Sequence, residues 1–201
     1  MSIDAASAQL YLASRSPRRA ELLRQLGLRF ETLPVEVVET PAPGQTPADY
    51  ALATALAKAL AAARSAPRAL PVLGADTDVA LDGEILGKPR DRAQGLAMLE
   101  RLAGRVHEVY SAVAVVAGGR RESALSVTRV HFGPIRAEEA EAYWDSGEPA
   151  DKAGAYAIQG YAARWVKTIE GSYSGVVGLP LYETVALLER FGVKVFPRPV
   201  P

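Results

Sequence analysis

Cysteine is absent from this 201-residue chain. That removes disulfides, thiolate metal sites and cysteine nucleophiles together. Histidine is almost absent too, with only His107 and His131, so a His-rich metal site is not expected and both read as structural. A catalytic metal would then rest on carboxylates, which favour Mg²⁺ or Mn²⁺. No apolar run approaches the roughly 20 residues that span a bilayer. The opening stretch carries no basic region of the kind that begins a secretory signal. A cytoplasmic protein without a membrane partner is the expectation. Neither charge sign is in excess, with 23 basic side chains against 23 acidic. Non-specific nucleic-acid binding needs a basic surplus to displace counterions, so no nucleic-acid partner is expected. Also missing are G-x-x-x-x-G-K-[ST], G-x-G-x-x-G after a strand, and G-x-S-x-G. The common NTPase, dinucleotide-binding and esterase signatures are thereby excluded.

What is present suits one compact domain, whole or split into two lobes, spanning residues 1–201 with a frayed tail over 197–201. Hydrophobic residues make up 49% of the chain, but 36 of them are Ala, so the core leans on Val, Leu and Ile. Short strands alternate with helices. Leu10–Ala13 reads as a strand, followed by a helix capped by Ser16 with Pro17 at its first position. Phe30–Val38 reads as a second strand, and Thr46-Pro47 opens an Ala-rich helix running to about Arg64. Leu70–Ala75 reads as a buried strand ending at Asp76, with a hairpin at Asp82-Gly83. Asp91 caps a further helix. Val106–Val116 and Glu122–Phe132 form a hairpin over Gly118-Gly119. Ala137–Ser146 is helical, Ala163–Glu170 a strand, Pro180–Phe191 a helix and Val193–Phe196 a last strand. The interleaving with a central hairpin indicates an α/β fold with a mixed β-sheet flanked by helices.

Four stretches carry the chemistry. The first is Leu12-Ala13-Ser14-Arg15-Ser16-Pro17-Arg18-Arg19 on a strand-to-helix turn. The first turn of a helix exposes free N–H groups and partial positive charge, where arginine has the wrong sign for stability. Two arginines there make sense when an anion docks, because N–H groups, hydroxyls and guanidinium forks together bind phosphate. The second is Gly74-Ala75-Asp76-Thr77-Asp78, a carboxylate beyond a buried strand, where open α/β sheets place their sites. Asp76 suits a metal ligand or a base on water; a turn carboxylate is the plain alternative. Glu36 and Glu39 are further oxygen donors. The third is Gly87-Lys88-Pro89: only five lysines occur, and Lys58, Lys88 and Lys152 are candidate phosphate contacts. The fourth is Ile158-Gln159-Gly160 with the glycine-rich Gly171–Pro180 loop. The Gln159 amide offers both donor and acceptor and suits a nucleobase edge.

In this order, about Leu10 to Val195, these stretches resemble the Maf-type nucleoside triphosphate pyrophosphatases, in the branch acting on dTTP and UTP. The carrying segments also include Lys88-Pro89-Arg90-Asp91, Asp151-Lys152-Ala153-Gly154-Ala155-Tyr156, and Gly171-Ser172-Tyr173 with Val177-Gly178-Leu179-Pro180. The resemblance implies two lobes around a central cleft, as in the inosine triphosphatase family, and a divalent metal cation, Mg²⁺ or Mn²⁺. It implies hydrolysis between the α- and β-phosphates to a nucleoside monophosphate and pyrophosphate, with modified pyrimidine nucleotides as candidate further substrates. Asp76 matches the family's proton acceptor. Ser14, Ser16, Arg19, Lys58, Lys88, Gln159 and Ser172 fall where the family meets the nucleotide, and Arg18, Thr77 and Gln159 where its branches differ in base. Asp76 and Glu39 would hold the metal. Dimers are common in the family, so a homodimer is among the states the resemblance allows.

Two positions depart from that pattern. Val38 stands where many relatives carry a second acid, and Asp78 where an apolar residue is usual. On a regular strand Asp76 and Asp78 share a side, so Asp78 adds a ligand or raises the Asp76 pKa. Two other readings compete. Asp76-Thr77-Asp78-Val79 imitates the D-x-D-x-[TV] nucleophile motif of haloacid-dehalogenase-type phosphatases, although that motif usually opens its domain. The other reading is a non-catalytic nucleotide-binding regulator of cell division.

Overall fold

The computed structural model describes residues 8–195; the tail expected over 197–201 lies outside them. Seven strands form one mixed sheet: β1 (Leu10–Leu12), β2 (Phe30–Thr32), β3 (Val72–Leu81), β4 (Glu84–Ile85), β5 (Val106–Ala117), β6 (Arg120–Phe132) and β7 (Val166–Glu170). Their order is β2-β1-β3-β5-β6-β7, with β4 hairpinned onto the far end of β3. β1 runs parallel to both β2 and β3, while β3, β5, β6 and β7 pair antiparallel in turn. The helices are α1 (Pro17–Gln25), α2 (Pro47–Ser65), α3 (Arg92–Leu102), α4 (Ala137–Asp145), α5 (Tyr173–Val177) and α6 (Leu181–Arg190). Among the described residues no helix is long and apolar enough to cross a membrane.

Two features of this topology create a site. β1 has β2 on one side and β3 on the other, so the strand order reverses there, and crevices open at the carboxyl ends of such strands. β1 pairs with β3 only at Val72 and Leu73, while β3 continues to Leu81, held by β5 along its other edge. Among the described residues no strand covers Gly74–Val79 on the β1 side. Asp76–Val79 of that stretch border open space.

The alanines find their use in α2. Ala51, Ala55, Ala59 and Ala62 recur at helical spacing and are fully buried, the first three against Ala112 and Ala114 of β5. Small side chains on both partners let the helix lie close on the sheet. Gly74 permits the same approach on β3, since a Cβ there would stand 2.2 Å from the Ala55 carbonyl oxygen and 2.7 Å from the Ala59 nitrogen.

Several sequence expectations need correction. β2 stops at Thr32 rather than Val38 because its partner β1 is only three residues long; Val38 is 86% exposed. β3 runs on through Asp76 rather than ending there, since β5 remains paired with it up to Ala80. Ala163 does not begin β7: Tyr161–Trp165 form a 3-10 turn, and pairing with β6 starts at Val166. Residues 193–195 are not a strand; the Val193 N–H instead closes the end of α6 on the Leu188 carbonyl. Phe196 lies outside the described residues. α5 sits in a stretch that reads as a glycine-rich loop.

Candidate active site

A cleft of about 670 Å³ opens at the switch point, lined by the α1 turn, β3, α2, the Lys88 loop and the segment carrying Gln159. Ser14, Ser16, Arg18, Arg19, Glu39, Lys58, Asp76, Thr77, Lys88 and Gln159 all line it. So do Asp78, Tyr50, Asp151 and Lys152. Two expected residues stand elsewhere. The Ser172 hydroxyl caps α5 by accepting from the Gly175 N–H at 3.0 Å and does not line the cleft. Glu36 pairs with Arg15 on the outside at 3.0 Å.

The strand period assigns the two faces of β3. Gly74, Asp76 and Asp78 point to the α2 side, and Thr77 to the other. On α2, Tyr50, Thr54 and Lys58 stand four residues apart, one above another beside the alanine stripe. The close packing at Gly74 therefore delivers the Lys58 ammonium to the Asp76 carboxylate, at 2.7 Å from Oδ1. The same Nζ lies 2.6 Å from Glu39 Oε1. Glu39 comes from the long connection between β2 and α2, so one cation ties three segments together.

Asp78 sits beside Asp76 and is 8% exposed. Burial, followed by the neighbouring Asp76 charge, pushes its carboxyl up to about 8. Its Oδ2 is buried with no hydrogen-bond partner among the described residues. Tyr50 is pushed up to about 12 by burial and then by Asp78 and Asp76. Its phenol stays protonated near neutral pH.

On the opposite face, Arg19 joins three elements. Its Nε donates to the Gly178 carbonyl at 2.8 Å, and its terminal nitrogens reach Ser14 Oγ at 3.3 Å and Thr77 Oγ1 at 3.4 Å. Gly178 ends α5, whose exposed carbonyls carry partial negative charge. Ser16 caps α1 through the Arg19 N–H, and Ser14 Oγ accepts from the Ser16 N–H at 3.1 Å. Arg18 and Lys88 make no hydrogen bond or ion pair among the described residues, which leaves two cations at the cleft for an incoming anion.

The donor set also fits a hard divalent cation. Glu39 and Asp76 are held together by one ammonium, and the orphaned Asp78 oxygen lies beside them. Among the described residues no group of three or more acids or histidines is pre-assembled as a metal cage. Mg²⁺ commonly takes only one or two carboxylates and completes its shell with water and substrate phosphates.

Sequence reading missed Tyr50 and the Gly178 carbonyl. The fourfold spacing of Tyr50, Thr54 and Lys58 was a usable signal for the first; a backbone oxygen leaves none.

Known proteins resemble this chain over nearly its whole length. The dTTP/UTP pyrophosphatase of Nitrosomonas europaea is 49% identical over 199 residues, covering 93% of this chain and 96% of that protein. That of Methylococcus capsulatus is 51% identical over 191 residues, covering 95% of each. The solved structure of the Staphylococcus aureus Ham1 protein is similar in fold, with a TM-score of 0.51 at 14% identity over 90% of this chain and 96% of that one. Residues 9–191 match the family described as Maf-like protein. The chain belongs to that family.

Proposed function

We propose that this Maf-like protein hydrolyses dTTP and UTP between the α- and β-phosphates, releasing the nucleoside monophosphate and pyrophosphate. The observation that carries the reading is one cleft lined both by Asp76, held by Lys58, and by Arg18 and Lys88, which make no hydrogen bond or ion pair among the described residues. The relatives named for this activity share about half of its residues over nearly the whole length.

The α1 turn receives the triphosphate. The Ser14 and Ser16 hydroxyls and the Arg18 and Lys88 cations converge on a multivalent anion. Arg19, anchored on Gly178, supplies a fixed guanidinium edge with little to reorganise. Asp76 takes the proton of the attacking water, and the Lys58 hydrogen bond holds its carboxylate in one orientation. Glu39 and Asp76, with Asp78 beside them, would hold Mg²⁺ or Mn²⁺, which supplies Lewis-acid polarisation of the phosphate when bound. Pyrophosphate leaves into a basic wall that already balances its charge. Gln159 faces the base from the far wall, and Arg18 and Thr77 complete the selection. One sheet runs through the described residues, which supports reading the chain as a single domain whose lobes flank this cleft.

The test is product analysis with dTTP, UTP, 7-methyl-GTP and a generic phosphatase substrate, each with and without Mg²⁺ or Mn²⁺. Monophosphate and pyrophosphate from dTTP and UTP support the reading. Inorganic phosphate would point to a phosphatase, and intact nucleotide to a binding protein.

A further inference from the structure

The turn that carries Gln159 is held from behind by two side chains that do not line the cleft. Tyr143, on the inner face of α4 and 2% exposed, donates its hydroxyl to Glu148 Oε1 at 2.7 Å. The same phenol oxygen accepts from the Ala157 N–H at 3.1 Å. The other carboxylate oxygen of Glu148 accepts from the Tyr161 N–H at 3.2 Å. One phenol–carboxylate pair thus satisfies a backbone N–H on each side of Gln159. Between them the Gly160 N–H closes the turn on the Ala157 carbonyl at 3.1 Å. A Cβ at Gly160 would stand 2.0 to 2.3 Å from the Glu148 carboxylate, so any larger residue there would displace that carboxylate. Gln159 itself is exposed at the cleft and makes no hydrogen bond among the described residues.

A free amide on a clamped turn is the arrangement expected of a group that reads a ligand edge, since discrimination by hydrogen bonds depends on their being held in place. We infer that Glu148 and Tyr143 are positioning residues for base selection, fixing the Ala157–Tyr161 turn so that Gln159 presents its amide in one place. This rests on the proposed role of Gln159. Removing the carboxylate leaves the Tyr161 N–H and the Tyr143 hydroxyl short of partners and frees the turn, while the phosphate-binding wall and Asp76 are untouched.

The experiment measures kcat and KM for dTTP and dCTP, which differ at the pairing edge of the base, in the wild type, Glu148→Ala, Tyr143→Phe, Gln159→Ala and the Glu148→Ala/Gln159→Ala double variant. The expected result for Glu148→Ala is a KM for dTTP raised about tenfold, kcat changed less than threefold, and a reduced dTTP-to-dCTP ratio of kcat/KM. Glu148→Gln, which keeps one acceptor, should fall between. In the double variant the ratio should equal that of Gln159→Ala alone, because both changes remove the same interaction. Thermal unfolding of each variant separates lost fold from lost selection. An unchanged ratio in folded Glu148→Ala, where Gln159→Ala does lower it, would overturn the inference. A wild type that leaves dTTP intact, or a Gln159→Ala variant with an unaltered ratio, would instead overturn the reading on which it rests.

Discussion

The Lys58 ammonium stands 2.7 Å from Asp76 and 2.6 Å from Glu39, and both Lys58 and Asp76 are more than nine-tenths buried. Removing one member of such a buried pair strands the other's charge, at a cost of roughly 3 kcal/mol. Lys58→Met should therefore lower stability by about that amount and abolish turnover. Lys58→Arg should recover stability better than activity, since a guanidinium delivers its charge in a different shape. Urea unfolding and initial rates, measured side by side, check both parts.

Gly74 makes that pair possible. In Gly74→Ala the new methyl would meet the α2 backbone at 2.2 Å, and backbone has no rotamer with which to yield. The helix must move off β3, with an expected loss of about 1–3 kcal/mol for overpacking. Because Lys58 rides on that helix, kcat should fall more than stability alone explains. Stability and kcat measured at a temperature where the variant is still folded test this.

Arg18 and Arg19 are neighbours with different duties. Arg19 is engaged with Gly178, Ser14 and Thr77, whereas Arg18 makes no hydrogen bond or ion pair among the described residues. Arg19→Ala should reduce kcat/KM for every nucleotide by about a hundredfold or more, as expected when a charge-stabilising donor is lost. Arg18→Ala should shift preference among dTTP, UTP and 7-methyl-GTP with a smaller effect on maximal rate. Specificity constants for the three substrates distinguish the two outcomes.

These contrasts show how far the sequence was legible. The strand-to-helix turn at Ser14–Arg19 was readable because Ser16 and Pro17 mark a helix start, and its arginines stood out because they run against the helix dipole. Asp76 was readable as a carboxylate just beyond a buried apolar strand. That β3 continues past it was not, because the continuation depends on β5, thirty residues later in the chain. The alanines of α2 looked like helix filler; their role appears only against Gly74 and the β5 alanines. Ser172 looked like part of a ligand loop because a five-residue helix containing Gly175 has too little periodicity to be seen. Ten consecutive residues of β3 could not reveal that Lys58, from another element, lies between Asp76 and Glu39.

His107 provides a pH dependence separate from the cleft chemistry. Burial, helped by the His131 charge, pushes its pKa from 6.5 down to about 4. Its Nε2 lies 2.8 Å from the Tyr156 hydroxyl, and its Nδ1 is buried without a partner. The folded pKa lies below the unfolded one, so between them the unfolded chain binds more protons and stability rises with pH. The contribution is complete above about pH 6.5 and is lost on acidification toward pH 4, amounting to roughly 3 kcal/mol. His107→Leu should flatten that limb of the stability curve, whatever its effect on the plateau. Urea midpoints from pH 4 to 8 provide the comparison.

The most direct measurement compares wild type and Asp76→Asn with dTTP and Mg²⁺, following every product and, separately, nucleotide binding. The account predicts equal amounts of dTMP and pyrophosphate from the wild type. It predicts a rate at least a hundredfold lower in Asp76→Asn, with dTTP still bound by the basic wall. Comparable turnover by the two proteins, or release of inorganic phosphate in place of pyrophosphate, would contradict it.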